Sequence, residues 1–157
     1  MIIKTLVEDT TDSPLLESEH GLSIYIEAND KKILFDTGAG SLFLQNAYKM
    51  GVRIKDVDVA VISHGHYDHG GGLQAFLEEN EKACVYIHKK AFDRYFSKMR
   101  GGNAVNAGID PSLKSHERLR LTDGNLLIDE ETELFSSVFG REYQRSRKNR
   151  SHSRLRS

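Results

Sequence analysis

The six residues Val57–Ile62 (VDVAVI) constrain the fold most. Four of the six are β-branched, and only Asp58 interrupts the apolar run. Such a run reads as a strand buried on both faces, which requires cover on both sides of its sheet. Polar and glycine-rich residues follow at once, SHGHYDHGGG from Ser63 to Gly72. The strand therefore delivers three histidines and an aspartate to its carboxyl end, the edge where sites collect in open α/β sheets.

The rest of the chain fits around this strand. Ile2–Val7 reads as a strand. Leu22–Ala28 and Lys32–Asp36 read as a hairpin joined by a tight turn at Asn29-Asp30-Lys31. An amphipathic helix is predicted from Ser41 to Met50, stopped by Gly51. Past the histidine loop, Leu73–Glu79 reads as a helix, Ala83–Ile87 as a second buried strand and Ala91–Lys98 as another helix. Weaker strands are expected at Arg118–Leu121, Leu126–Ile128 and Thr132–Val138. Hairpins followed by alternating strands and helices indicate a layered α/β fold.

Bulk properties narrow the class. At 157 residues the chain has the length of one domain, and its single cysteine, Cys84, excludes an internal disulfide framework. The N-terminus, MIIKTLVEDT, has no secretory pattern, and no apolar run is long enough to span a bilayer. A cytoplasmic protein without a membrane partner is the expectation. Charge is uneven. Residues 141–157 hold seven basic residues against one acidic, net +6, which leaves fifteen basic against twenty-two acidic, net −7, in residues 1–140. We therefore expect a domain over 1–140 and a basic, disordered tail over 141–157.

The loop chemistry points to metal. In an extended stretch His64 and His66 point the same way and can share one ion. Asp68 and His69 are adjacent, and a turn into helix would carry them to a second point nearby. The pattern suits two metal ions. Imidazole with carboxylate favours zinc, with iron or manganese as alternatives. Gly65 and Gly70–Gly72 permit close approaches and leave room for a substrate. A polar surface turn that happens to contain histidines is the plainer reading, and three histidines with an aspartate at this spacing argue against it.

HGHYDH matches the HxHxDH signature of the metallo-β-lactamase superfamily, and LFDTG (Leu34–Gly38) resembles that superfamily's second motif. The stretches EHGLSIYIE (Glu19–Glu27) and SHGHYDHGGGL (Ser63–Leu73) resemble one branch, described as the synthase that joins a dihydropterin to ribofuranosylaminobenzene 5′-phosphate, or as metal-dependent hydrolases. The resemblance implies the N-terminal half of an αββα sandwich. It implies that His64 and His66 hold a first metal and that Asp68 and His69 hold a second. It makes Asp36 a residue that orients the ligand loop, and Asp68 the group that accepts or orients the proton of a bridging water. His20 and His88 become substrate-proximal candidates. Each also has a plain reading, as a turn histidine and a polar strand end. Lys89, Lys90 and Arg94 could form an anion-attracting rim for a phosphorylated small molecule. Tyr67 is expected to pack on or cover the site, Cys84 to lie in the core and His116 at the surface.

The same resemblance exposes a gap. A catalytic zinc takes about three protein ligands, and the family draws its remaining ligands from a second half. Nothing after Val138 looks like that half, and His152 sits among arginines without a preceding strand. The chain reads as an N-terminal half with a foreign end near Arg141–Tyr143, most simply through a reading-frame shift. One half alone would leave an apolar sheet face uncovered. Three functions compete: a metal-dependent hydrolase or pterin-type synthase; a truncated, non-catalytic metal-binding protein that pairs with a partner or a second copy; and, last, a nucleic-acid binder using the basic tail.

Overall fold

In the computed structural model, residues 1–98 and 104–136 are described. The expected tail over 141–157 and the end of the last predicted strand, 137–138, lie outside them. Among the described residues, six strands form one mixed sheet in the order β1-β2-β3-β4-β5-β8. These are β1 (Ile2–Val7), β2 (Ser23–Ala28), β3 (Lys31–Phe35), β4 (Val59–Ile62), β5 (Cys84–His88) and β8 (Leu119–Thr122). The first three pair antiparallel, and β3, β4, β5 and β8 run parallel. The turn between β2 and β3 places Asn29 and Asp30 both at positive φ, 50° and 60°. That conformation matches the twist of a two-residue hairpin and favours these residue types.

Helices α1 (Leu42–Lys49) and α3 (Leu73–Glu79) cover one sheet face, and the four-residue turn α2 (Tyr67–Gly70) lies between them in the chain. Strand register explains the core. Tyr25, Leu34, Ala60, Val85 and Leu119 align across successive strands, and all are buried. They join Phe43 and Ala47 from α1 and Leu73, Phe76 and Leu77 from α3 in one cluster. Asn80 is buried at the end of α3 and donates from its amide to the carbonyls of Ile54 and Val57, each at 2.9 Å. This satisfies backbone groups that the turn before β4 would otherwise strand.

The opposite face of the sheet carries Ile24, Ile26, Ile33, Phe35, Val59, Cys84 and Tyr86. All are half-buried and apolar or nearly so. The hairpin of β9 (Leu126–Asp129) and β10 (Thr132–Leu134) lies against part of it. Lys31 ties this hairpin through Asp129 and Thr132, and a cavity of about 380 Å³ remains between Phe35, Val61, Tyr86, Leu134 and Phe135. Cys84 is thus half-buried on this face and not part of the helix-covered core.

One predicted element differs in kind. Ala91–Lys98 is not a helix: a 3₁₀ turn over Lys89–Phe92 gives way to β6 (Phe96–Lys98), which pairs antiparallel with β7 (Ala104–Asn106). The apolar spacing of Ala91, Phe92, Tyr95 and Phe96 imitates a helical stripe. Tertiary contacts divide it: Ala91 is buried, whereas Phe96 is 63% exposed.

Candidate metal centre

The parallel strands β3, β4, β5 and β8 bring their carboxyl ends to one edge. The residues that follow or end them there are Asp36, Ser63–His64, His88 and Asp123. The chain after β4 is stapled on several sides by backbone bonds. Ile109 N–H donates to the Gly65 carbonyl at 3.2 Å, and Tyr67 N–H to that of Ala107 at 2.9 Å. Thr37 N–H donates to the His69 carbonyl at 2.7 Å, and Leu22 N–H to that of Asp68 at 3.1 Å. Gly65 sits so tightly under Ala91 that a Cβ there would lie 2.1 Å from the Ala91 carbonyl oxygen. Gly70–Gly72 are pressed in the same way against Ile109, the Ala39 carbonyl and the Thr37 carbonyl. The triple glycine therefore serves close packing of the loop onto the domain. It does not open space for a substrate.

Asp36 organises the loop from behind. It is fully buried and takes a left-handed φ of 58°, a conformation Asp tolerates better than most residues. Its Oδ1 accepts from the Ser63 N–H at 2.7 Å. Its Oδ2 is 2.7 Å from both Ser63 Oγ and His69 Nδ1. Three donors thus compensate a buried carboxylate. The network also assigns tautomers. Ser63 has one hydroxyl hydrogen, and it goes to the carboxylate, so Ser63 Oγ accepts from His64 Nδ1–H at 2.9 Å. His69 likewise gives Nδ1–H to Asp36. Both rings are left with an Nε2 lone pair, the form a metal ligand needs.

The four loop side chains are close but not convergent. His64 Nε2 stands 3.1 Å from His66 Nδ1, and the His64 and His69 rings are 4.2 Å apart. Asp68 Oδ2 lies 3.8 Å from His69 Nε2. Burial, and then the neighbouring His69 and His66, hold the His64 pKa below its ordinary value and favour the neutral ring. The donor chemistry fits a borderline divalent ion. Among the described residues, however, no group of three or more His, Cys, Asp or Glu side chains is arranged to hold one.

His20, on the chain entering β2, brings its Nε2 to 3.3 Å from Asp68 Oδ2, so it stands beside the loop. His88 ends β5 and shares with Ser63, His64, Gly65, Ala91 and Tyr95 a cavity of about 280 Å³. Its ring accepts from the Lys90 N–H at 3.2 Å. Tyr67 is 44% exposed, and the aromatic ring on the loop is instead that of Tyr95, edge-on to His66 at 5.1 Å. Lys89 of the supposed anion rim is engaged by Asp123. His116 is half-buried and accepts the Arg118 N–H in a turn before β8. Sequence reasoning passed over Ser63, Tyr95 and Asp9. Ser63 directly precedes the motif and could have been noticed, whereas Tyr95 and Asp9 reach the loop only through tertiary folding. Among the described residues no helix is long and apolar enough to cross a membrane.

Residues 18–140 match the family model of the metallo-beta-lactamase superfamily. The uncharacterized protein MJ0448 of Methanocaldococcus jannaschii is 34% identical over 149 residues, 91% of this chain and 55% of that protein. The 7,8-dihydropterin-6-methyl-4-(beta-D-ribofuranosyl)-aminobenzene-5′-phosphate synthase of the same organism is 36% identical over 103 residues, 60% of this chain and 35% of the synthase. In solved structures, Tm1679, a metal-dependent hydrolase of the beta-lactamase superfamily, superposes with a TM-score of 0.64 at 32% identity, covering 85% of this chain and 46% of that one. The chain spans about half the length, or less, of these relatives. A mixed sheet with helices on one face, a histidine loop at the ends of its parallel strands and a family match over most of the sequence lead to one conclusion: this chain belongs to the metallo-beta-lactamase superfamily.

Proposed function

We propose that this chain contributes one half of a metal-dependent hydrolase-type active site, in which His64 and His66 hold one divalent ion and Asp68 and His69 a second. Zinc is the first choice, with iron or manganese as alternatives. One observation carries the reading: His64 Nε2 and His66 Nδ1 face each other at 3.1 Å on a turn whose tautomers are set by buried Asp36. Two nitrogens on one tetrahedral zinc, with bonds of about 2.0–2.1 Å, would stand about 3.3 Å apart. The separation is already close to that value; to share an ion both rings must turn toward it, and His66 must release its Nδ1 proton.

When bound, such ions acidify a water and polarise a phosphoryl or carbonyl oxygen. The chain's own residues do the rest. Asp36 and Ser63 keep the His64 and His69 rings oriented. Asp68, half-buried beside them, takes or orients the proton. The cavity between His64, His88 and Tyr95 receives the substrate. A phosphorylated small molecule is the favoured class, because one relative is a 5′-phosphate synthase. In a synthase the same loop would serve a pyrophosphate leaving group.

A second reading has its own support. No three donors are arranged to hold an ion among the described residues, which favours a metal-binding protein completed by a partner or a second copy. The test is to load the chain with zinc or manganese and assay a phosphodiester such as bis(4-nitrophenyl) phosphate, alongside sedimentation. Metal-dependent turnover lost in His66→Ala supports the enzyme. Metal uptake without turnover, in a dimer, supports the second reading. No metal uptake contradicts both.

A further inference from the structure

Asp68 is approached by two carboxylate–imidazole pairs. In one, Asp36 holds His69 Nδ1 at 2.7 Å, and His69 Nε2 lies 3.8 Å from Asp68 Oδ2. In the other, Asp9 Oδ1 holds His20 Nδ1 at 3.0 Å, and His20 Nε2 lies 3.3 Å from the same Asp68 oxygen. The second pair is built into the backbone. The Gly21 N–H donates to the same Asp9 oxygen at 3.1 Å, and the Leu22 N–H donates to the Asp68 carbonyl at 3.1 Å. Gly21 has a φ of 144°, and a Cβ on it would lie 2.2 Å from the Asp68 carbonyl oxygen. Residues 20–22 are thus seated directly against Asp68, in a conformation that glycine at 21 permits. The His20 side chain is 70% exposed, whereas that of Asp68 is 16% exposed.

We propose that Asp9 and His20 form a positioning pair that fixes the carboxylate of Asp68. Asp9 sets the orientation of the His20 ring, and the ring edge, with Nε2 3.3 Å from Asp68 Oδ2, limits how far that carboxylate can turn away from the loop. The proposal rests on the reading of Asp68 as a metal ligand. Partners that orient metal ligands cost about 10- to 100-fold in metal affinity when removed. A pair this exposed belongs at the low end of that range.

The experiment is a cobalt(II) titration of the full chain, followed by visible absorption, for wild type, Asp9→Asn, His20→Ala, His20→Gln and the distant control His116→Ala. His20→Ala is expected to weaken cobalt binding about tenfold and to alter the absorption band. His20→Gln should recover part of the loss, because a side chain of similar reach can keep its polar end against Asp68. Asp9→Asn should fall between, and His116→Ala should match wild type. Unchanged thermal unfolding separates positioning from misfolding. Binding in His20→Ala within twofold of wild type overturns the proposal. A wild-type chain that takes up no cobalt overturns the metal reading instead. The pair is then judged by the imidazole ¹⁵N resonances of His20 on Asp68→Asn: a shift supports the contact, and no shift overturns it.

Discussion

The histidine loop after β4 and the hairpin after β8 both lie close to the carboxyl edge of the sheet, yet they are held by different means. The loop is fastened by backbone bonds from three other segments and by fully buried Asp36. The hairpin is fastened through Lys31 to Asp129 and Thr132, while Leu127 and Phe135 stand 63% and 67% exposed. Exposed ion pairs contribute little, whereas satisfied buried polar groups are costly to disturb. The histidine loop is thus preorganised by the domain itself, and the hairpin is only appended to it.

Asp36→Ala should disturb the loop most. It strands the Ser63 N–H and the His69 Nδ1–H in a buried site, and the expected loss is about 3 kcal/mol or more in urea unfolding. A loss under about 1 kcal/mol would show that the loop does not depend on its buried support. Gly65→Ala comes next. Its Cβ would meet the Ala91 carbonyl and the Tyr95 ring, and overpacking of this kind costs about 2 kcal/mol. The same denaturant series measures it, and an unchanged midpoint would mean that the loop yields freely.

The third prediction concerns acid. Folding holds the His64 pKa below its ordinary 6.5. The unfolded chain therefore binds that proton first, and stability is full above pH 6.5 and declines as pH falls through the window beneath it. In metal-free protein, the urea midpoint should drop between pH 7.5 and 5.5, and His64→Gln should flatten the slope. A slope equal in both proteins would exclude His64 as its source. The smallest effect is expected at Lys31→Ala. It should cost less than about 1 kcal/mol and speed amide exchange in 126–134 without changing exchange in 63–70. Faster exchange in the loop as well would join the two regions.

Much of this was legible in the chain. β1 has the bounds its residues imply, α3 is the predicted Leu73–Glu79, and Asn29-Asp30 turns β2 into β3. These elements follow local periodicity and turn chemistry. The segment after His88 departs from its helical reading because the pairs Ala91–Tyr95 and Phe92–Phe96, each four residues apart, imitate a helix stripe. Whether such a stripe becomes helix or strand depends on a partner, here Asn106 opposite Phe96. At the site, a single loop carries His64 through His69, so their nearness could be read directly. The neighbours that arrive from elsewhere could not. Asp9 comes from the end of the first strand and Tyr95 from beyond β5, and neither has a local signature.

The most direct measurement is zinc content after equilibrium dialysis, comparing wild type with a His64→Ala/His66→Ala double variant of unchanged fold. At least one zinc per wild-type chain is expected, lost in the double variant. Equal zinc in both, or none in either, would contradict the assignment of the loop as a metal centre.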